Sequence, residues 1–125
     1  MNRVLALALF TFSIVVFAQA PHINSGATVY IEPNGGYEMS LTAAITEKQV
    51  PLTMVADKSK AKYIITSTRR STPGKLHIPH NLTNIAVTDA KSSQIVFAYS
   101  ADKGGETGSA EAFAEHLKEF IEEQK

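Results

Sequence analysis

Lys62-Tyr63-Ile64-Ile65-Thr66-Ser67-Thr68 is the strongest strand signal in the chain, a β-branched and aromatic run with apolar side chains on both faces at its start. A strand apolar on both sides belongs in the centre of a sheet, and the remaining elements arrange themselves around it. Upstream, Ala27-Thr28-Val29-Tyr30-Ile31-Glu32 is a second β-branched run, stopped by the turn Pro33-Asn34-Gly35-Gly36. Between the two runs, Tyr37, Leu41, Ala44, Ile45 and Lys48 recur on one face at helical spacing, predicting a helix from about Tyr37 to Gln49. Pro51 prevents its continuation. Leu52 to Ala56 then reads as a short strand, and Asp57-Lys58-Ser59-Lys60-Ala61 as a single helical turn capped by Asp57.

Downstream of the central run, Asn84 to Asp89 alternates with Ile85 and Val87 on one face. Gln94 to Ser100 alternates with Ile95, Phe97 and Tyr99 facing one way, and Asp89 to Ser93 has the length of a hairpin loop. After the break at Asp102-Lys103-Gly104-Gly105, the residues Ala110, Phe113, Ala114, Leu117, Phe120 and Ile121 form an amphipathic stripe, with Ser109 as N-cap and Glu111 in the first turn. The order is β-α-β-β-β-β-α. Helices with one-sided stripes bury them against a sheet, so the expected fold is α/β (α+β): a mixed sheet of about five strands, parallel at its start and antiparallel at its end, packed against two amphipathic helices.

The chain opens with Arg3 followed by a run, Val4 to Ala18, apolar except for Thr11 and Ser13 and ending in small residues at Ala18 and Ala20. This has the form of a signal peptide and is shorter than the ~20 apolar residues of a spanning helix. Cleavage after Ala18 fits better than after Ala20, which would leave Pro21 at the cut. The expected organisation is residues 1–20 as signal peptide, 21–26 as a flexible lead and 27–125 as one domain, exported to the periplasm or the medium. There is no cysteine, so the expected mature domain has neither disulfides nor a cysteine-linked lipid and is held by its core alone. Lys and Arg total 12 and Asp and Glu 12; loss of Arg3 with the signal leaves 11 against 12. That balance lacks the basic footprint of a nucleic-acid binder and the polybasic cluster of a membrane-surface protein.

The residues that could carry function lie between the central strand and the next. Residues 69–81, Arg69-Arg70-Ser71-Thr72-Pro73-Gly74-Lys75-Leu76-His77-Ile78-Pro79-His80-Asn81, show no periodicity and are long for a connection. Arg69, Arg70 and Lys75 are the expected charged contacts, with Leu76, His77 and His80 beside them. His77 and His80 would need further ligands to hold a metal, and Pro79 keeps them off one helical face, so they are expected as exposed loop histidines. No cofactor is expected. His22 falls at the wrong distance from either cleavage site for an amino-terminal copper site. Gly108-Ser109 lacks the second glycine of a nucleophile elbow, and His116 flanks the stripe of the last helix as a structural residue. Pro33-Asn34-Gly35-Gly36 lacks the lysine and spacing of a phosphate loop and is explained by a tight turn. Asn81-Leu82-Thr83 is a glycosylation acceptor only in a eukaryotic secretory pathway.

The opening strand Thr28-Val29-Tyr30-Ile31, the helix ending before Val50-Pro51-Leu52, the step Asp57…Ala61-Lys62-Tyr63-Ile64-Ile65-Thr66, the hairpin Val87 to Val96 and the final helix together resemble a family of bacterial envelope α/β domains. The family includes the N-terminal domain of TolB, the curli-secretion lipoprotein CsgG and the penicillin-binding-protein activator LpoB, and small exported proteins made of the domain alone. The sequence departs from the pattern in carrying Ser93 where the hairpin glycine usually stands, and it lacks the lipoprotein cysteine. The resemblance implies a docking or assembly module without catalytic residues. The expected function is therefore an exported, soluble, non-enzymatic module that binds an envelope or extracellular protein. The alternatives are a small hydrolase or metal-dependent enzyme using His77 or His80, and a structural or stress protein without a discrete site.

Overall fold

In the computed structural model the described residues are 21–73, 79–102 and 105–124. The signal-peptide reading of residues 1–20 lies outside them. Strands β1 (Thr28–Ile31), β2 (Thr53–Met54), β3 (Tyr63–Pro73), β4 (Pro79–Asp89) and β5 (Ile95–Ala101) form one sheet in the order β2-β1-β3-β4-β5. β1 is parallel to both β2 and β3, and β3, β4 and β5 run antiparallel in turn. The mixed sheet and the central place of β3 are as the sequence predicts.

Helices α1 (Tyr37–Glu47) and α2 (Gly105–Glu122) pack against each other and against the sheet. Inward-facing Val29, Ile65, Ile85 and Val87 meet Leu41 and Ile45 of α1 and Phe113 and Leu117 of α2 in a single core. Burying each such side chain contributes about 1.5–3 kcal/mol, which is how a chain without disulfides holds together. The other sheet face carries Thr66, Thr68, Ala98 and Ser100, all exposed, so the domain has two layers. Gly36 (φ 96°) turns the chain from β1 into α1, a left-handed position where a Cβ is strained. Glu38 Oε2 reaches back to accept the backbone N–H of Asn34 at 2.8 Å and of Gly36 at 3.0 Å. Asp57 caps a single 3₁₀ turn (Lys58–Lys60), its Oδ1 accepting from Ser59 N.

Five expectations are corrected. Residues 69–81 are not an irregular loop at their ends: β3 continues to Pro73 and β4 begins at Pro79, paired throughout. β2 is two residues rather than the five of Leu52 to Ala56. A β-bulge between Val87 and Thr88 of β4 and the start of β5 turns Val96 (8 % exposed) inward beside Phe97 and leaves Ile95 (58 % exposed) outside. α2 begins at Gly105, which places Ser109 inside the helix and not at its cap. The lead 21–26 is tied down: Ile23 is 1 % exposed, its N–H donates to Gln124 Oε1 at 2.9 Å, and the Tyr63 hydroxyl donates to the carbonyl of His22.

Candidate functional site

β1 pairs with β3 only as far as Ile65, and β5 pairs with β4 only from Thr83. Beyond those limits the pairs Arg70–Leu82, Ser71–Asn81, Thr72–His80 and Pro73–Pro79 have no third strand among the described residues. The two strands therefore leave the sheet as a two-stranded ribbon, on the side where α1 and α2 both begin. The periodicity of a strand comes from packing one face on a core, and residues 69–81 show no such alternation in sequence.

The base of the ribbon is braced. Arg69 lies on the same side of β3 as Ile65 and Ser67; its Nη1 donates to Glu106 Oε1 at 2.7 Å, and its guanidinium sits 5.1 Å from the centre of the Tyr37 ring. The Tyr37 hydroxyl is 2.8 Å from Ser109 Oγ, and Ser109 Oγ donates to the carbonyl of Glu106 at 3.1 Å. Burial pushes the Tyr37 phenol above its ordinary value, opposed by the Ser109 hydrogen bond, so it stays neutral near pH 7. Across the turn, Asn34 Nδ2 donates to both the carbonyl (3.1 Å) and Oγ (3.0 Å) of Ser67. The first turns of both helices are thus clamped to β3 where the ribbon departs.

Of the residues singled out in the sequence, Arg69 is part of this clamp rather than a free contact. Arg70 points to the opposite side and is exposed. His80 takes its place on β4 opposite Thr72. Lys75, Leu76 and His77 lie outside the described residues. Tyr37, Ser109, Glu106 and Asn34 are not site residues in the sequence reading, in which Asn34 belongs to the Gly-rich turn and Ser109 is the N-cap of the last helix. His116 stacks on Tyr99 with ring centroids 4.7 Å apart and hydrogen-bonds the Ala112 carbonyl, the structural role expected of it. Thr83 of the acceptor sequence is buried.

Among the described residues no three His, Asp or Glu side chains are grouped to hold a metal, and no helix is long and apolar enough to cross a membrane. A shallow depression of about 270 Å³ between α1 and α2 is lined by Met39, Ala43, Glu47, Thr107 and Glu111, without a histidine. Every buried side-chain polar atom among the described residues has a partner.

No protein-family model matches the sequence, and no curated protein matches it. Solved structures do. TolB from Acinetobacter baumannii superposes with a TM-score of 0.57 at 10 % identity, over 83 % of this chain and 30 % of TolB. The PelC dodecamer from Paraburkholderia phytofirmans gives 0.47 at 14 % identity, over 82 % of this chain and 89 % of PelC. A lipoprotein from Neisseria meningitidis gives 0.43 at 8 % identity, over 78 % and 96 %. The chain thus has the α/β fold found in a part of TolB, as the sequence resemblance implied.

Proposed function

We propose that the protein is an exported, non-enzymatic docking module whose β3–β4 ribbon engages another protein of the cell envelope or its surroundings. The observation that carries this reading is the ribbon itself: strands that outrun their sheet, on a base clamped by Arg69, Glu106, Tyr37 and Ser109. Strands that continue past their neighbours leave backbone edges and side chains free to contact another protein, which suits a segment whose work is binding. Arg70 and His80 supply charge and hydrogen-bonding capacity on that ribbon, with Lys75, Leu76 and His77 between them in sequence. The ribbon belongs to a fold shared with TolB, and this supports an envelope setting for the module. The test is crosslinking in the envelope fraction of the native host, comparing the wild type with the triple variant Arg70→Ala, His77→Ala, His80→Ala. A species captured by the wild type and lost in the variant supports docking at the ribbon; equal capture by both contradicts it.

A further inference from the structure

The two edges of the sheet are treated differently. At one edge β2 offers only two residues. At the other, β5 offers seven, Ile95-Val96-Phe97-Ala98-Tyr99-Ser100-Ala101, with no charge and no proline. Monomeric proteins guard long edges with lysine, proline or a bulge, because the outward backbone N–H and C=O groups template another strand. Here the bulge at Val96 perturbs only the start of β5 and leaves Phe97 to Ala101 regular.

We propose that the β5 edge pairs with the β5 edge of a second copy of this chain, antiparallel about a two-fold axis at Ala98. An uncharged strand meets itself without like-charge repulsion. In this register Phe97 lies opposite Tyr99 of the partner subunit, extending the aromatic row on the helix side, and Ala98 meets its own equivalent on the open face, where it is exposed. The helices fit the same axis. α2 packs on both β4 and β5, with His116 on Tyr99 and Phe120 on Phe97 (ring centroids 5.1 Å). With strands ~4.8 Å apart, a helix riding between β4 and β5 comes about 10 Å from its symmetry mate, at the upper end of helix-packing distances. His116 and Phe120, which rest on β5, lie on the side of α2 turned toward this axis. The result is a continuous ten-stranded sheet with both ribbons free.

The absence of cysteine makes the register directly testable. Directly opposed antiparallel residues have Cα atoms about 4.5–5.5 Å apart, within disulfide reach. Ala98→Cys should therefore crosslink to itself on mild oxidation. Two Ser100→Cys positions would be four residues apart along the strands, roughly 13 Å, and should not. Using protein recovered from cells expressing the full chain, light scattering at tens of micromolar is expected to show a dimer, and Ala98→Lys a monomer of unchanged circular dichroism. Equal crosslinking of the two cysteine variants, a monomeric wild type, or a dimer that survives Ala98→Lys would each overturn the proposal. Partner capture through the ribbon is a separate readout and does not bear on this edge.

Discussion

The hydroxyl of Tyr37 in the first turn of α1 meets Ser109 Oγ inside α2 at 2.8 Å, and both residues are buried. Removing one partner strands the other away from water, at a cost of about 1–3 kcal/mol, whereas removing both restores an apolar contact. Ser109→Ala and Tyr37→Phe should each destabilise in urea unfolding. The double variant should lose clearly less than the sum, a coupling that independent sites would not show.

Arg69 joins the base of the ribbon to the first turns of both helices through Glu106 and Tyr37. Its ion pair with Glu106 is largely exposed, and such pairs and cation–π contacts are worth up to about 1 kcal/mol each. Arg69→Ala should shift the urea midpoint only slightly while raising amide hydrogen exchange at the ribbon base, Thr68 to Arg70 and Leu82 to Asn84. Unchanged exchange there would show that the clamp does not set the ribbon's order.

Ser93 (φ 61°) and Gln49 (φ 55°) both hold left-handed backbone without being glycine. Gln49 closes α1 with Val50 N donating to the Ile45 carbonyl and its own N–H to Thr46, the helix end at which glycine is favoured. Ser93→Gly and Gln49→Gly should each stabilise by about 0.5–1 kcal/mol, read as a higher melting temperature.

Four carboxylates titrate below their ordinary values. The backbone N–H of Asn34 holds Glu38 down, the Ser59 hydroxyl holds Asp57 down, the Ser92 N–H holds Asp89 down, and Lys48 holds Glu115 down. Groups depressed in the folded state add stability that is present above the ordinary values of 4.5 for Glu and 3.8 for Asp, and lost as pH falls through the lower folded values. The melting temperature should be flat near neutrality and decline below that range. Glu38→Gln should reduce the acid slope, since its charge no longer caps Asn34 and Gly36.

Ile23 shows why the residues before β1 were harder to read than the core. Its side chain sits in the core and its N–H is held by Gln124 from the far end of the chain, a contact no local pattern announces. Ile23→Ala should cost about 2–5 kcal/mol in chemical unfolding, the penalty of a cavity and not of a frayed end.

The element order, the central strand and the stripe of α2 were legible because burial imposes periods of 2 and 3.6 on Tyr63, Ile65, Ile85, Val87, Phe113 and Leu117. Where burial stops, so does the signal. The pairs from Arg70–Leu82 to Pro73–Pro79 have no third strand among the described residues, and the bulge at Val96 shifts the alternation of β5 by one residue. The clamp was hidden for another reason. Tyr37 and Ser109 lie 72 positions apart and read as a stripe residue of one helix and the cap of another until the parallel packing of the two helices brings them together.

The docking role rests on the ribbon, and trimming it tests that role most directly. Residues 71–81 would be replaced by Asn-Gly, a two-residue turn suited to joining Arg70 to Leu82. Melting temperature and capture of the crosslinked envelope species would then be compared with the wild type. If the ribbon docks the partner, the trimmed domain folds with a nearly unchanged melting temperature and no longer captures the species. A folded, trimmed domain that captures it as well as the wild type would show that the ribbon is not the docking site.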